Sequence, residues 1–224
     1  ADGVGTKLEV AKMAGIHRTV GRDLGTDQWP QVIGGDGGFL AYDFDSPTRR
    51  YTTYVRLTVY RIAANGSASN ISGPWSGDPK NFIAPLVMDP GDSKTLLGGT
   101  NRVWRTTNAS TSASWSAIST SSVSGGGTLN AIAVGPDTSS PSNNIYTGSS
   151  NGRVYFTDNG STWSDRSSGL PSGSGVSDIM ASPVDEADAY VSFFRGNGGR
   201  IYRTVNTGFS WIDVTGSLPS GVTP

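Results

Sequence analysis

Few residues of this 224-residue chain could do chemistry. His17 is its only histidine and cysteine is absent. A Ser-His-Asp relay would have to run through His17, and no Gly-x-Ser-x-Gly turn supplies its nucleophile. One histidine without cysteine cannot build a zinc centre, so no metal and no cofactor is expected, and His17 reads as a surface or helix-end residue. Carboxylates remain. Inverting hydrolysis of a glycosidic bond needs two of them, about 6.5–9.5 Å apart across a groove. The candidate pair is Asp36, flanked by Gly34, Gly35, Gly37 and Gly38, and Asp178, at the start of an apolar run. Glycines around Asp36 would let a ligand approach the backbone, although the same residues also make an ordinary turn. Trp29, Trp75, Trp104 and Tyr155 are candidate platforms for stacking on a sugar ring. The acidic turns Asp89 to Asp92 and Asp185 to Asp188 offer oxygen ligands for calcium but lack EF-hand spacing. They are expected to be solvated turns.

The elements that must position these groups follow from composition. Glycine is high, at 31 residues, charged residues are only 16%, and glutamate occurs only as Glu9 and Glu186. Such a chain suits short strands and tight turns better than long amphipathic helices. A net charge of −1 gives no overall attraction to nucleic acid or an anionic membrane, and no apolar run approaches the roughly 18 residues of a membrane span. The polar, lysine-poor composition points to a secreted or extracytoplasmic protein.

Self-similarity decides the architecture. Asn101 to Thr120, Asn151 to Ser168 and Gly198 to Gly216 each run from an apolar–aromatic pair through Thr and Asp or Asn to Trp, and Trp115, Trp163 and Trp211 are spaced by 48 residues. Matched runs precede each: "FIAPLVMDPGD", "LNAIAVGPD" and "VSDIMASPVDEAD", followed by "TLLGGT", "NIYTGSS" and "AYVSFF". The unit is four short strands. A degenerate earlier copy runs through "GGFLAYDFDSP", "YTTYVRL" and "TVYRIAANG", with Trp75 in the place of the terminal tryptophan. In "LNAIAV", Leu129, Ala131 and Ala133 should face one way, and Asn130, Ile132 and Val134 the other. Both faces carry apolar residues, so each sheet must be covered by neighbours. The expected fold is all-β: a β-propeller or partial propeller of about four four-stranded antiparallel blades over residues 26–224. Unpaired blade edges at the ends of an open array predict a homo-oligomer.

In "TDNGSTW", Asp158 heads a turn and should accept backbone N–H bonds, with Gly160 adopting positive φ and Trp163 packing over the hairpin. Asn108 and Asn206 are placed as its counterparts, with Gly208 matching Gly160, and the extra residues before Trp115 should loosen the first copy. These stretches resemble the Asp-box, or BNR repeat, of sialidases, xyloglucanase-type glycoside hydrolases and sortilin-type receptors, over roughly Thr26 to Pro219. The resemblance implies a propeller with its Asp-box turns at the blade periphery, away from any catalytic centre. A sialidase would also need Tyr activated by Glu, and Glu186 in an acidic turn is poorly suited to that. The expected function is therefore a non-catalytic binding module for a glycan or protein. A xyloglucanase-like inverting hydrolase, or a remnant of one, is the alternative.

Residues 1–25 differ in kind. "DGVGTKLEVAKMAGI" reads as a glycine turn feeding a short helix that Gly15 could stop. "DGVGTKL" and "GIHRTVGRDL" resemble consecutive motifs of aminoimidazole ribonucleotide synthetase, which implies a nucleotide-phosphate role for Asp2, Gly3, Gly5, Thr6 and Lys7. Arg18 departs from that family's usual Asp, and the match ends at Leu24. The expectation is a fused, chimeric piece.

Overall fold

A computed structural model describes residues 32–194 and 200–217. The segment expected over residues 1–25, including His17, and also Trp29, lie outside the described residues. Among the described residues, sixteen strands form four antiparallel sheets, each with its strands in chain order. Sheet A holds β1 (Leu40–Tyr42), β2 (Arg50–Tyr54), β3 (Thr58–Ile62) and β4 (Ala68–Asn70). Sheet B holds β5 (Leu86–Asp89), β6 (Asp92–Gly99), β7 (Val103–Thr106) and β8 (Ser116–Ala117). Sheet C holds β9 (Leu129–Val134), β10 (Ile145–Ser149), β11 (Val154–Thr157) and β12 (Ser164–Asp165). Sheet D holds β13 (Val176–Ala181), β14 (Ala189–Phe193), β15 (Ile201–Thr204) and β16 (Ile212–Asp213). The expected all-β architecture of four four-stranded units is the one observed.

Three cores fill the three junctions between successive sheets. Tyr51 and Val59 of sheet A meet Leu86, Leu96 and Trp104 of sheet B. Leu97 and Val103 of sheet B meet Leu129 and Ile145 of sheet C. Tyr146 and Phe156 of sheet C meet Ile179, Val191 and Phe193 of sheet D. Among the described residues, no core joins sheet D back to sheet A. Sheets B and C are therefore apolar on both faces because both faces are covered, as their sequences require. At Gly98 a Cβ would come within 3.1 Å of Leu57, and at Gly148 within 2.8 Å of Val176 Cβ. Glycine on the second strand lets the neighbouring sheet close in.

The side-chain alternation expected for β9 is broken. Its register against β10 shifts between Gly148 and Ser149, so Leu129 joins Ile132 and Val134 on the sheet B side, while Ala131 and Ala133 face sheet D. A bulge inserts one residue and reverses every facing beyond it. β13 carries a matching shift between Val176 and Asp178.

Each junction is also tied by one indole. Trp115 Nε1 donates to the Ile71 carbonyl at 2.7 Å, Trp163 Nε1 to Ile118 at 2.9 Å and Trp211 Nε1 to Arg166 at 2.7 Å. Ile71, Ile118 and Arg166 each directly follow the fourth strand of the preceding sheet. In each of these sheets the tryptophan stands three residues before that sheet's own equivalent position. In sheet A the equivalent position holds Ala68, not Trp75. Trp75 lies beyond β4 and packs edge-on against Trp104 and Trp115, with ring centroids 5.8 and 5.0 Å away.

Trp115→Phe keeps an aromatic ring and deletes the donor. The buried Ile71 carbonyl then loses its partner, which costs about 1–3 kcal/mol. The urea midpoint should fall with an unchanged slope; an unchanged midpoint would deny the bond its role in the junction.

Candidate functional site

The alternating strand directions give the sheets two ends. One end carries the β3–β4, β7–β8, β11–β12 and β15–β16 turns. The other carries the hairpins between second and third strands and the links from one sheet to the next.

At the first end, three turns share one hydrogen-bond scheme. A buried threonine hydroxyl donates to the Asn side-chain oxygen two residues on: Thr106 to Asn108 at 2.8 Å, Thr157 to Asn159 at 3.3 Å, Thr204 to Asn206 at 2.9 Å. That same oxygen accepts the N–H of the residue just before the tryptophan: Ser114 at 2.9 Å, Thr162 at 2.8 Å and Ser210 at 3.0 Å. Gly160 and Gly208, at φ of 68° and 79°, donate back to the threonines, as expected of positive-φ glycines. Asp158 is not the turn acceptor. It is exposed, and the residue equivalent to Asn108 and Asn206 is Asn159, one place later. These turns aim Trp115, Trp163 and Trp211 into the junctions and leave no group poised for catalysis.

The other sequence-predicted residues do not converge. Asp36 is exposed ahead of sheet A. Asp178 is exposed on sheet D, where its carboxylate accepts the Ile179 N–H at 2.9 Å. Asp36 precedes the first strand of sheet A and Asp178 lies on sheet D, and these two sheets share no core among the described residues. Trp75 and Trp104 are only 4% and 9% exposed, so neither presents a ring face to a sugar. Tyr155 packs half-buried against the core between sheets B and C, and that burial, with Asp165 nearby, pushes its hydroxyl above the usual tyrosine range. Asp89 is fully buried rather than solvated. Its carboxylate accepts the Gly91 N–H at 2.8 Å and, from sheet C, the Ser142 N–H at 2.7 Å. Among the described residues no group of three or more His, Cys, Asp or Glu could hold a metal ion.

The second end holds a cleft. It lies between the β4–β5 link, the β6–β7 hairpin and the β8–β9 link, and is lined by Pro79, Asn101, Thr120, Ser121, Ser122, Ser124, Gly126 and Gly127, with a volume of about 430 Å³. Its walls are braced from beneath. Asp78 Oδ2 accepts Thr100 Oγ1 at 2.8 Å and Trp104 Nε1 at 2.9 Å, with Arg102 Nε 3.3 Å away, and this fixes the hairpin that carries Asn101. On the opposite wall, Asn151 Nδ2 donates to the Gly125 carbonyl at 2.8 Å. Gly125 and Gly126 take positive φ, which lets the link turn back sharply after the 3-10 turn Ser121–Ser124. The lining supplies hydroxyls and an amide, and neither a carboxylate nor a cation. The sequence reading missed this site. Its only signal was the Ser- and Gly-rich run Ser119 to Thr128, which looks like a plain linker.

The chain matches no family model and no curated protein. It is similar to solved structures. An ancestral GH74 enzyme aligns at 19% identity and TM-score 0.60, over 82% of this chain and 24% of that one. The GH74 enzyme of Niastella koreensis aligns at 16% identity and TM-score 0.57, over 84% and 31%. An auxiliary nutrient binding protein from Bacteroides thetaiotaomicron aligns at 15% identity and TM-score 0.53, over 75% and 37%. The fold is all-β and propeller-like. At these identities the likeness speaks for fold alone, and this chain spans less than two fifths of each of the three.

The turn geometry separates two neighbouring residues. Asn159→Ala removes the oxygen that holds Ser161 and Thr162, and should cost about 1–2 kcal/mol. Asp158→Ala, at an exposed position, should stay within about 0.5 kcal/mol. Denaturant titration of both variants checks this, and the reverse order would restore Asp158 as the turn acceptor.

Proposed function

We propose that this protein is an extracytoplasmic binding module that holds a neutral glycan in the cleft at the link end of sheet B, without turning it over. The observation that carries this reading is the lining: Asn101, Thr120, Ser121 and Ser122 present amide and hydroxyl groups, Ser124 is buried with its hydroxyl given to the Ser121 carbonyl, and no carboxylate is among the lining residues. A sugar carries a dense set of hydroxyls that both donate and accept, and a wall of Ser, Thr and Asn answers in kind. General acid–base hydrolysis needs two carboxylates facing one bond, and the cleft offers none. The volume of about 430 Å³ falls in the range of small-molecule sites. No aromatic ring lines the cleft, so binding rests on hydrogen bonds and is of modest affinity. The fold-level likeness to a nutrient-binding protein is in keeping with this role, and the likeness to GH74 enzymes keeps a hydrolase remnant as the competing reading. Among the described residues no helix is long and apolar enough to cross a membrane.

Isothermal titration against a panel of neutral oligosaccharides should find a ligand, and Asn101→Ala should weaken it about 2- to 10-fold through one lost hydrogen bond. The same panel, assayed for new reducing ends, should stay unreacted. Release of product that Asp36→Ala or Asp178→Ala abolishes would replace this reading with the hydrolase.

A further inference from the structure

Among the described residues, the two end sheets each keep one uncovered face, and those faces carry the residues of a junction. On sheet D, Met180, Tyr190 and Arg203 pair across β13, β14 and β15 at the places where sheet C has Ala133, Tyr146 and Phe156. The sheet C residues are buried against sheet D, whereas Met180 is 67% and Tyr190 39% exposed. On sheet A, Leu40 and Tyr42 stand where sheet B has Leu86 and Met88, which pack into the first core. Leu40 is 46% and Tyr42 57% exposed. Exposed apolar rows of this kind are unusual on a surface that meets only water.

Sheet D is finished for a successor in finer detail too. Ile71, Ile118, Arg166 and Val214 each donate their N–H to the third strand of their own sheet, and a hydroxyl from the next residue, Ser72, Ser119, Ser167 or Thr215, accepts another N–H from that strand. In the first three, the carbonyl then receives an indole from the following sheet. Val214 is the fourth member of the series, 41% exposed, and no indole reaches it among the described residues. Each face also carries charge, and Arg203 on sheet D is ion-paired with Asp188 at 2.8 Å. Arg50 on the outer face of sheet A has a buried Nε without a hydrogen-bond partner, and Asp178 stands exposed on the outer face of sheet D.

We propose that two copies of this chain join head to tail, the outer face of sheet D in one copy covering the outer face of sheet A in the other. Two such contacts close a ring of eight sheets. That is within the four to eight blades over which propellers close, and closure stops a heterologous contact from growing into a filament. Ala68 occupies the place where the other sheets carry the tying tryptophan, so this joint lacks its indole and is looser than the internal ones. Assembly therefore depends on concentration.

Light scattering across a dilution series of the 224-residue chain should show twice the chain mass giving way to single copies. Tyr42→Glu and Met180→Glu change exposed residues, so circular dichroism and the melting midpoint should be unchanged, while each variant alone stays single. Mixing the two variants leaves one good joint per pair and should restore a two-copy species. Ala68→Trp supplies the missing indole to Val214 and should lower the half-assembly concentration about tenfold. Single copies at every concentration, as when another part of the same chain covers these faces, would overturn the proposal. So would sensitivity to only one of the two Glu substitutions, which marks a face meeting its own copy, and so would growth into long polymers.

Discussion

The bond from an indole to the preceding sheet's carbonyl is the constraint around which the rest is arranged. A four-stranded sheet with apolar residues on both faces has to be covered twice, and its last strand ends on a carbonyl that must be paired once the neighbour closes over it. Tryptophan meets both needs. Its ring covers apolar area and its single N–H lies at the edge, aimed along the plane. The donor always comes from the later sheet and the acceptor from the earlier one, which gives the array a direction. The turns serve this geometry. The Asn108, Asn159 and Asn206 side chains hold the N–H of the residue just before the ring, so the indole leaves its turn with a fixed bearing. A local hydrogen bond thereby sets a contact some 45 residues away.

What was legible in the sequence was whatever repeats. The 48-residue spacing of Trp115, Trp163 and Trp211, and the apolar runs between them, specify four strands per unit and four units. The first unit is recognisable although it lacks its tryptophan, because "YTTYVRL" and "TVYRI" keep the strand alternation. What was lost depends on single-residue offsets. A bulge moves Leu129 to the opposite face from Ala131, and periodicity counted along one strand cannot see an irregularity set by its partner. Choosing Asp158 over Asn159 as the acceptor fails for a similar reason. Both are short Asx residues that favour such turns, and only the alignment of Thr157 with Thr106 and Thr204 separates them.

Tryptophan misled in a different way. An indole is a sugar platform when its face meets solvent and a strut when its face meets another ring, and the sequence around Trp75 and Trp104 does not distinguish the two. Trp104 is held by Asp78 through its own N–H, so the residue that seemed available to a ligand braces the floor of the hairpin that carries Asn101. The cleft was illegible for the complementary reason. Its residues are Ser, Thr, Asn, Gly and Pro, the types that fill any link, and Pro79, Asn101 and Thr120 come together only because the β4–β5, β6–β7 and β8–β9 segments all lie at one end of the sheets.

That division between ends says where function can reside. The Thr-x-Asn turns at one end have their polar groups engaged in aiming the indoles, and a substitution there is felt across a junction. The links at the other end join the outermost strand of one sheet to the innermost strand of the next, a route whose length the sheets fix loosely. Ser121 and Ser122 contribute nothing to the three cores, so these two positions of the β8–β9 link can change their side chains while Val123 beside them stays in the core between sheets B and C. A scaffold whose stability is concentrated at one end leaves the other free for recognition. The cleft lies at that free end, where the link between the two fully covered sheets meets the β4–β5 link and the β6–β7 hairpin.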